Sequence, residues 1–265
     1  MRRFVLSVVA GLSLGLSFGV NSARAAAGSL DPTFGKSGIV QTSGFSATVS
    51  IDAALQADGK IVIYGTDETT QFNGELVRYL PNGTLDTSFG NGGFVQVSPS
   101  GPSGGSVALQ SDGKYIVAEA VYVGAPRGRD VDTHVVRFTA TGNVDSPFNS
   151  PIFDFVGEGG SGHFDVPQEA ALQANNQVVI VGSHAQPSST TLNALARLNT
   201  DGSLDSTFGN AGIVANTLPA GTDGLHSLLI QLDGKILAIG TANNNTEYSS
   251  SAISHNRILR SRGWG

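Results

Sequence analysis

An all-β chain of about four repeated, four-stranded units is the architecture this sequence predicts, and three observations predict it. First, a short motif recurs as Leu30–Gly35 (LDPTFG), Leu85–Gly90 (LDTSFG), Val144–Asn149 (VDSPFN) and Leu204–Gly209 (LDSTFG). Its aspartates, Asp31, Asp86, Asp145 and Asp205, lie 55, 59 and 60 residues apart. Second, another signature keeps step with it: Leu55–Ile61 (LQADGKI), Leu109–Tyr115 (LQSDGKY), Leu172–Val178 (LQANNQV) and Ile230–Ile236 (IQLDGKI). Third, beyond the N-terminal stretch no helical apolar period of useful length appears; short β-branched runs alternate with Asp-Gly and Thr-Gly turns. The strand after the second signature is apolar with little alternation, so it is covered on both faces. Small sheets stacked face on face are propeller blades. The expected fold is therefore β-propeller-like, about four blades of four short antiparallel strands, closed or incomplete. A sandwich requires no strict period, and a β-helix requires a shorter one.

The units run approximately over 36–90, 91–149, 150–209 and 210–265. The second shows the reading. Gly93–Ser98 is a first strand and Ser106–Gln110 a second. Ser111-Asp112-Gly113-Lys114 is a two-residue hairpin turn, because Asp-Gly tolerates positive φ. Tyr115–Val123 is the third strand and Thr133–Thr139 the fourth, closed by Thr141-Gly142. The corresponding third strands elsewhere carry Ile61–Tyr64, Val178–Val181 and Ile236–Ile239. The last unit has no LDxxFG of its own, and a spare copy stands at 30–35. The expectation is that Leu30–Val40 completes the last unit around Lys235–Ala242 and so closes the ring, which would remove exposed edges.

Arg2 and Arg3 precede an apolar run from Phe4 to Val20, and Ala23-Arg24-Ala25 follows. A charged start, an apolar middle and small residues at a cleavage point predict a signal peptide over 1–25, leaving 26–265 as the repeat domain. The expected location is periplasmic or extracellular, with no membrane span after cleavage. Loss of three arginines leaves 12 basic against 21 acidic residues, a net charge of −9. That balance argues against nucleic acid and anionic membrane surfaces as partners. There is no cysteine, so an exported chain must hold itself together by packing.

The combination of LQxDGKI, an arginine-bearing strand and DGSLDxxFG resembles the delta-60 repeat of secreted bacterial proteins. The resemblance covers nearly the whole chain after the leader, and implies a β-propeller-like fold and export. It carries over no catalytic residues. The third copy departs from the pattern, with VDSPFN and NNQ, and the tail Ile258–Gly265 is not a repeat sequence.

Recurring residues read first as structure. Asp31, Asp86, Asp145 and Asp205 cap turns by accepting backbone N–H bonds, and Phe34, Phe89, Phe148 and Phe208 anchor the unit junctions. Arg78, Arg137 and Arg197 sit in apolar strands, each eight residues before a motif aspartate. A buried guanidinium needs a partner, and the constant spacing names it. No cofactor is expected; calcium is the weak alternative, since it takes 6–8 oxygens and each motif offers one acid. The five histidines occupy no matching positions.

Candidate binding residues come from the insertions. The stretch Tyr122–Asp132 contributes Tyr122, Arg127, Arg129 and Asp130, which can stack on and hydrogen-bond a sugar or peptide. The stretch Gly157–Val166 contributes Glu158, His163 and Asp165, which can ligate a metal or do acid–base work. Insertions in such repeats fall on one face, often the binding face. No nucleophile elbow, phosphate loop or H-E-x-x-H is present, so no catalytic residue is assigned. The leading reading is a secreted, non-catalytic repeat scaffold that binds a glycan or protein at the cell surface. The alternatives are a carbohydrate-active hydrolase or lyase with its site on one propeller face, and a truncated fragment without independent activity.

Overall fold

The computed structural model describes residues 28–43, 49–67, 73–98, 101, 104–124, 130–156, 162–185, 191–216, 222–242, 251–254 and 257–260. The expected leader lies outside them. All regular elements in this set are strands, and none of its segments is a helix long and apolar enough to cross a membrane. β1 (Val49–Leu55), β2 (Ile61–Asp67), β3 (Asn73–Tyr79) and β4 (Phe94–Ser98) form one antiparallel sheet in that order. β5 (Gly105–Leu109), β6 (Tyr115–Val123), β7 (Asp130–Phe138) and β8 (Ile152–Phe153) form the second; β9 (Phe164–Leu172), β10 (Val178–Ala185), β11 (Thr191–Leu198) and β12 (Ile213–Asn216) form the third. In the last unit β13 (Thr222–Ile230) pairs with β14 (Ile236–Ala242), and β15 (Ser251–Ser254) with β16 (Arg257–Arg260). A single parallel bridge, Val131 to Phe164, links the second and third sheets. The innermost strands pack in series, β1 on β5, β5 on β9 and β9 on β13. This is an all-β, propeller-type stack of blades.

Two details of strand and turn differ from expectation. The strand Gly93–Ser98, read as the first of the second unit, is the outermost strand of the first sheet: its residues Phe94–Ser98 pair with β3. The frame of the repeat is thus displaced by one strand. The hairpin turns are also longer. Gly113 N–H donates to Gln110 O and Gln110 N–H to Lys114 O, and only the glycine is left-handed, at φ 83°. That is a tight turn followed by a glycine bulge. In the degenerate third copy Asn176 takes the same conformation at φ 64° and makes the same pair of bonds. Asparagine tolerates this region better than most side chains, so the turn survives the loss of Asp-Gly.

The two recurring signatures meet at each turn. Arg78 Nε donates to Asp86 Oδ2 at 2.9 Å, Arg137 to Asp145 at 2.6 Å and Arg197 to Asp205 at 2.8 Å. Each guanidinium lies over the motif phenylalanine, 4.5–4.6 Å from its centre. The lysine of DGK reaches the same carboxylate, Lys114 Nζ to Asp145 Oδ2 at 3.0 Å, and Gln177 replaces it at Asp205 at 2.8 Å. The arginine then reaches across the junction: Arg78 Nη1 donates to Ala140 O and Arg137 Nη1 to Thr200 O, in the next unit's turn. A second set of links joins the inner strands. Asp52 Oδ2 accepts from Val107 N, Ser106 Oγ from Ala170 N, and Glu169 Oε2 from Leu228 N. Each acceptor precedes the last strand residue by three, and each N–H belongs to the next unit.

Closure does not follow the expected seam. Phe34 and Val40 pack against Ile61, Ile63, Val77 and Tyr79 on the first sheet's outward face. Gly35 N–H donates to Asn82 O, as Gly90 does to Thr141 O and Asn149 to Asp201 O. The N-terminal motif therefore acts as the tail of a preceding unit stacked on unit one. Meanwhile Leu229 and Ile239, on the outward face of β13–β14, stay 56% and 41% exposed. Among the described residues the blades make an open arc, because the spare motif covers the first face and not the last.

Candidate functional site

The repeat pins one end of the first three blades, where the DGK-type turns and LDxxFG-type motifs lie. A concavity of about 950 Å³ opens there, lined by the turns around Gln56, Gln110 and Gln173. The turns use part of its polar lining: Asp58 and Asp112 accept the N–H of Lys60 and Lys114, and Gln173 Nε2 donates to Gly234 O, while the side-chain oxygens of Gln56, Gln110 and Gln173 are buried with no hydrogen-bond partner among the described residues. The chemistry gathers at the opposite end, between the second and third sheets.

There β7 begins at Asp130, and β9 begins one residue after His163. Asp130 Oδ1 accepts from Gly162 N and from His163 N, and Val131 N–H donates to His163 O. These bonds tie the start of β7 to the end of the 157–163 insertion. Asp165 and His184 face each other as a cross-strand pair of β9 and β10, with Asp165 Oδ1 2.5 Å from His184 Nδ1. Both are fully buried. Phe155 N–H donates to Asp165 Oδ2 at 2.8 Å, and Asp154 Oδ1 lies 3.8 Å from His184 Nδ1. Asp154, Asp165 and His184 bring their ligand atoms within 4.8 Å of one another. On its other side His184 Nε2 lies 3.4 Å from His163 Nδ1, with ring centres 5.2 Å apart.

Burial pushes the Asp165 carboxyl up to about 8 against the pull of the Phe155 N–H, and Asp154 and Asp132 raise it further. Burial also raises Asp132, with the charges of Asp154 and Asp130 acting the same way and the two histidines opposing. A low-dielectric pocket disfavours several like charges, so protons or a cation must balance the carboxylates.

Of the candidate residues read from the sequence, the structure brings together Asp130, His163 and Asp165. Tyr122 is 37% exposed and pairs with Val131 of the next strand. Arg127, Arg129 and Glu158 lie outside the described residues. The sequence reading missed Asp132, Asp154 and His184. It also missed a second buried polar group, between the first and second sheets: Glu119 Oε1 is 3.0 Å from His134 Nδ1, and Tyr64 Oη donates to Glu119 Oε2. One signal in the sequence marks that group. Counting from the first strand residue after each DGK-type turn, Glu119 stands where Gly65, Gly182 and Gly240 stand in the other units. Of the motif aspartates suspected of calcium binding, Asp86 and Asp205 have both carboxylate oxygens engaged within the protein; Asp205 bonds Thr207, Arg197 and Gln177.

Fold and repeat together define a propeller-type repeat protein. The family model "Domain of unknown function (DUF5122) beta-propeller" matches residues 56–89 and 173–208. Both segments run from the hairpin turn through the arginine strand to the LDxxF phenylalanine. No curated protein matches the chain. Among solved structures, it is similar to a protein of unknown function from Bacteroides caccae, at 11% identity and TM-score 0.45, covering 84% of this chain and 70% of that one. An alpha-L-arabinofuranosidase from Clostridium thermocellum is similar at 10% identity and TM-score 0.45, over 82% of this chain and 73% of that one. A polysaccharide lyase, an ulvan lyase, is similar at 13% identity and TM-score 0.48; the chain covers 54% of its length with 79% of its own.

Proposed function

We propose that the chain is an exported, non-catalytic binding scaffold whose ligand surface is the end of the second and third blades that bears the 124–129 and 157–163 insertions. The observation that supports this is the bond set from Asp130 to Gly162 and His163, which joins the residue that follows one insertion to the last residues of the other. Asp165 and His184 serve as its foundation. Both are fully buried, so neither can touch a substrate, and they act by holding His163 and the strand starts in place. Tyr122, Arg127, Arg129 and Asp130 offer the aromatic, cationic and acidic groups that grip a glycan or an acidic peptide. The experiment is deletion of residues 123–129, followed by glycan and peptide array binding. The fold should persist, read by far-UV circular dichroism, and whatever binding the intact protein shows should disappear. Binding that survives the deletion overturns the assignment. Turnover of any arrayed polysaccharide, lost on Glu158→Gln, replaces it with the hydrolase or lyase reading.

A further inference from the structure

The two ends of the arc carry the two halves of one blade junction. Every junction inside the chain is built alike. The earlier unit offers an inner-strand oxygen, Asp52 Oδ2, Ser106 Oγ or Glu169 Oε2, to the N–H of Val107, Ala170 or Leu228 in the later unit. Beside that bond Tyr64, Ala118 and Val181 of the earlier unit are buried. Leu109, Leu172 and Ile230 of the later unit pack into the same clusters. Both surfaces recur uncovered at the ends. On the outward face of unit four, Ser227 stands at the oxygen position, opposite Ile239 as Ser106 stands opposite Ala118. Ile239, and Leu229 on the same face, are exposed. On the outward face of unit one, Ala53 stands at the N–H position, and its N–H turns back to Asp52 Oδ1. Ala53 is exposed, and Leu55, at the place of Leu109, is 70% exposed.

The outer part of the junction is divided in the same way. Asp31 Oδ1 accepts from the N–H and the hydroxyl of Thr33 at 2.9 and 2.7 Å. Asp86 Oδ1 accepts likewise from Ser88, and Asp205 Oδ1 from Thr207. In those two turns Oδ2 takes the arginine that stands eight residues earlier. Asp31 has the turn without the arginine: it is exposed, and no described residue meets its Oδ2. Unit four has the arginine without the aspartate. Arg257 follows Gln231 by 26 residues, where Arg78, Arg137 and Arg197 follow their glutamines by 22, 27 and 24. The eighth residue after Arg257 is Gly265.

We infer that a second copy of this chain joins these halves, with unit four of one copy docked on unit one of the other. Leu229 and Ile239 then cover Ala53 and Leu55, Ser227 Oγ accepts the Ala53 N–H, and Arg257 of one copy pairs with Asp31 of its partner. Phe34 and Val40 already lie on unit one as the tail of a preceding unit, and that unit is the partner's fourth. Within one copy both faces stay open, so they do not meet each other, and a second copy carries the matching half of each. The contact is head-to-tail, and such contacts stop growing only where the rotation closes. Each copy brings both ends, so two four-unit arcs satisfy every end in a ring of eight blades, within the usual four to eight. The ligand surface proposed above lies between units two and three, away from both ends, so either reading can fail without the other.

The test uses the whole mature protein. Light scattering after gel filtration should give twice the chain mass and no larger species. Leu229→Glu and Ile239→Glu, at positions exposed in one copy, should leave the far-UV circular dichroism unchanged. Each should weaken the dimer about 30-fold or more, the loss expected at the centre of an interface. Asp31→Arg and Arg257→Asp should each weaken it too, and the double variant should restore it, which a folding defect would not do. A monomer at every concentration, growth into open chains, a dimer untouched by Leu229→Glu and Ile239→Glu, or a double variant no better than either single one each overturns the inference.

Discussion

Asp86→Asn removes the counter-charge from the most buried arginine of the repeat while keeping its shape. Arg78 and Asp86 have side chains only 5% and 6% exposed. In the variant Arg78 keeps Ala140 O and the Tyr115 hydroxyl, and its place over Phe89, but it is buried without an anion. Breaking a buried pair in this way costs about 3–5 kcal/mol. The retained bonds to a carbonyl and a hydroxyl bring the expectation to the lower end, about 3 kcal/mol. For a domain of this size that is a fall in melting temperature of about 6–12 °C. The same substitution at Asp205 should cost less, because Arg197 is 20% exposed and solvent screens what remains. Melting and urea unfolding of both variants, followed by circular dichroism, measure the order. A melt of Asp86→Asn within a degree or two of wild type, or a larger loss for Asp205→Asn, refutes the argument that burial of the Arg–Asp pair sets its contribution.

Two further outcomes follow from the same geometry. The Thr207 hydroxyl and N–H, with Gln177 and Arg197, hold the Asp205 carboxyl down to about 2, and Lys114 and Arg137 likewise lower Asp145. A depressed folded pKa contributes stability that is present above the unfolded value near 4 and lost as pH falls through the folded one. Acid titration should therefore show the melting temperature declining between about pH 4 and pH 2, and less steeply in that window for Thr207→Val. At Gly74 an added Cβ would stand 2.6 Å from Glu119 Oε2 and 3.1 Å from the Tyr64 hydroxyl. Gly74→Ala should cost about 1–3 kcal/mol by overpacking, and adding Glu119→Gly, the residue of the other three units, should recover most of it; an unrescued double variant would disprove the clash.

Much of the fold was legible because the repeat writes its own contacts. Arginine, aspartate and phenylalanine recur at fixed spacing since all three meet at one turn, and the DGK lysine joins them at the same carboxylate. The spacing alone could name the Arg–Asp pair. It could not place the strand after LDxxFG, because a period is the same wherever its start is drawn. Pairing assigns Phe94–Ser98 to the preceding sheet, and only hydrogen bonds carry that information. Closure was misread for a related reason. A spare motif suggests a missing partner at the far end, yet Phe34 meets the face of unit one as Phe89 and Phe148 meet the units that follow them.

The candidate site was hidden by one residue. Counting back from the hairpin pair Leu172–Val178, straight antiparallel pairing sets Val181 opposite Glu169 and would go on to set His184 opposite Val166. On that register Asp165 falls opposite Ala185, on the other face of the sheet from His184. The register instead shifts between Val181 and Gly182, Pro167 pairs with Gly182, and Asp165 comes opposite His184. The unpaired residue is Gln168, beside a proline that has no N–H to give the ladder. β1 and β13 shift register at the corresponding place, at Ile51 and His226. There the bulge has a structural role, since the next residue in β1 is Asp52 and the residue after Gln168 is Glu169, which both reach the following blade. A device for stapling blades together thus also turns an aspartate inward, and in the third unit alone a histidine stands across from it. The shared bulge belongs to the fold, and the Asp165–His184 pair is what this blade has made of it.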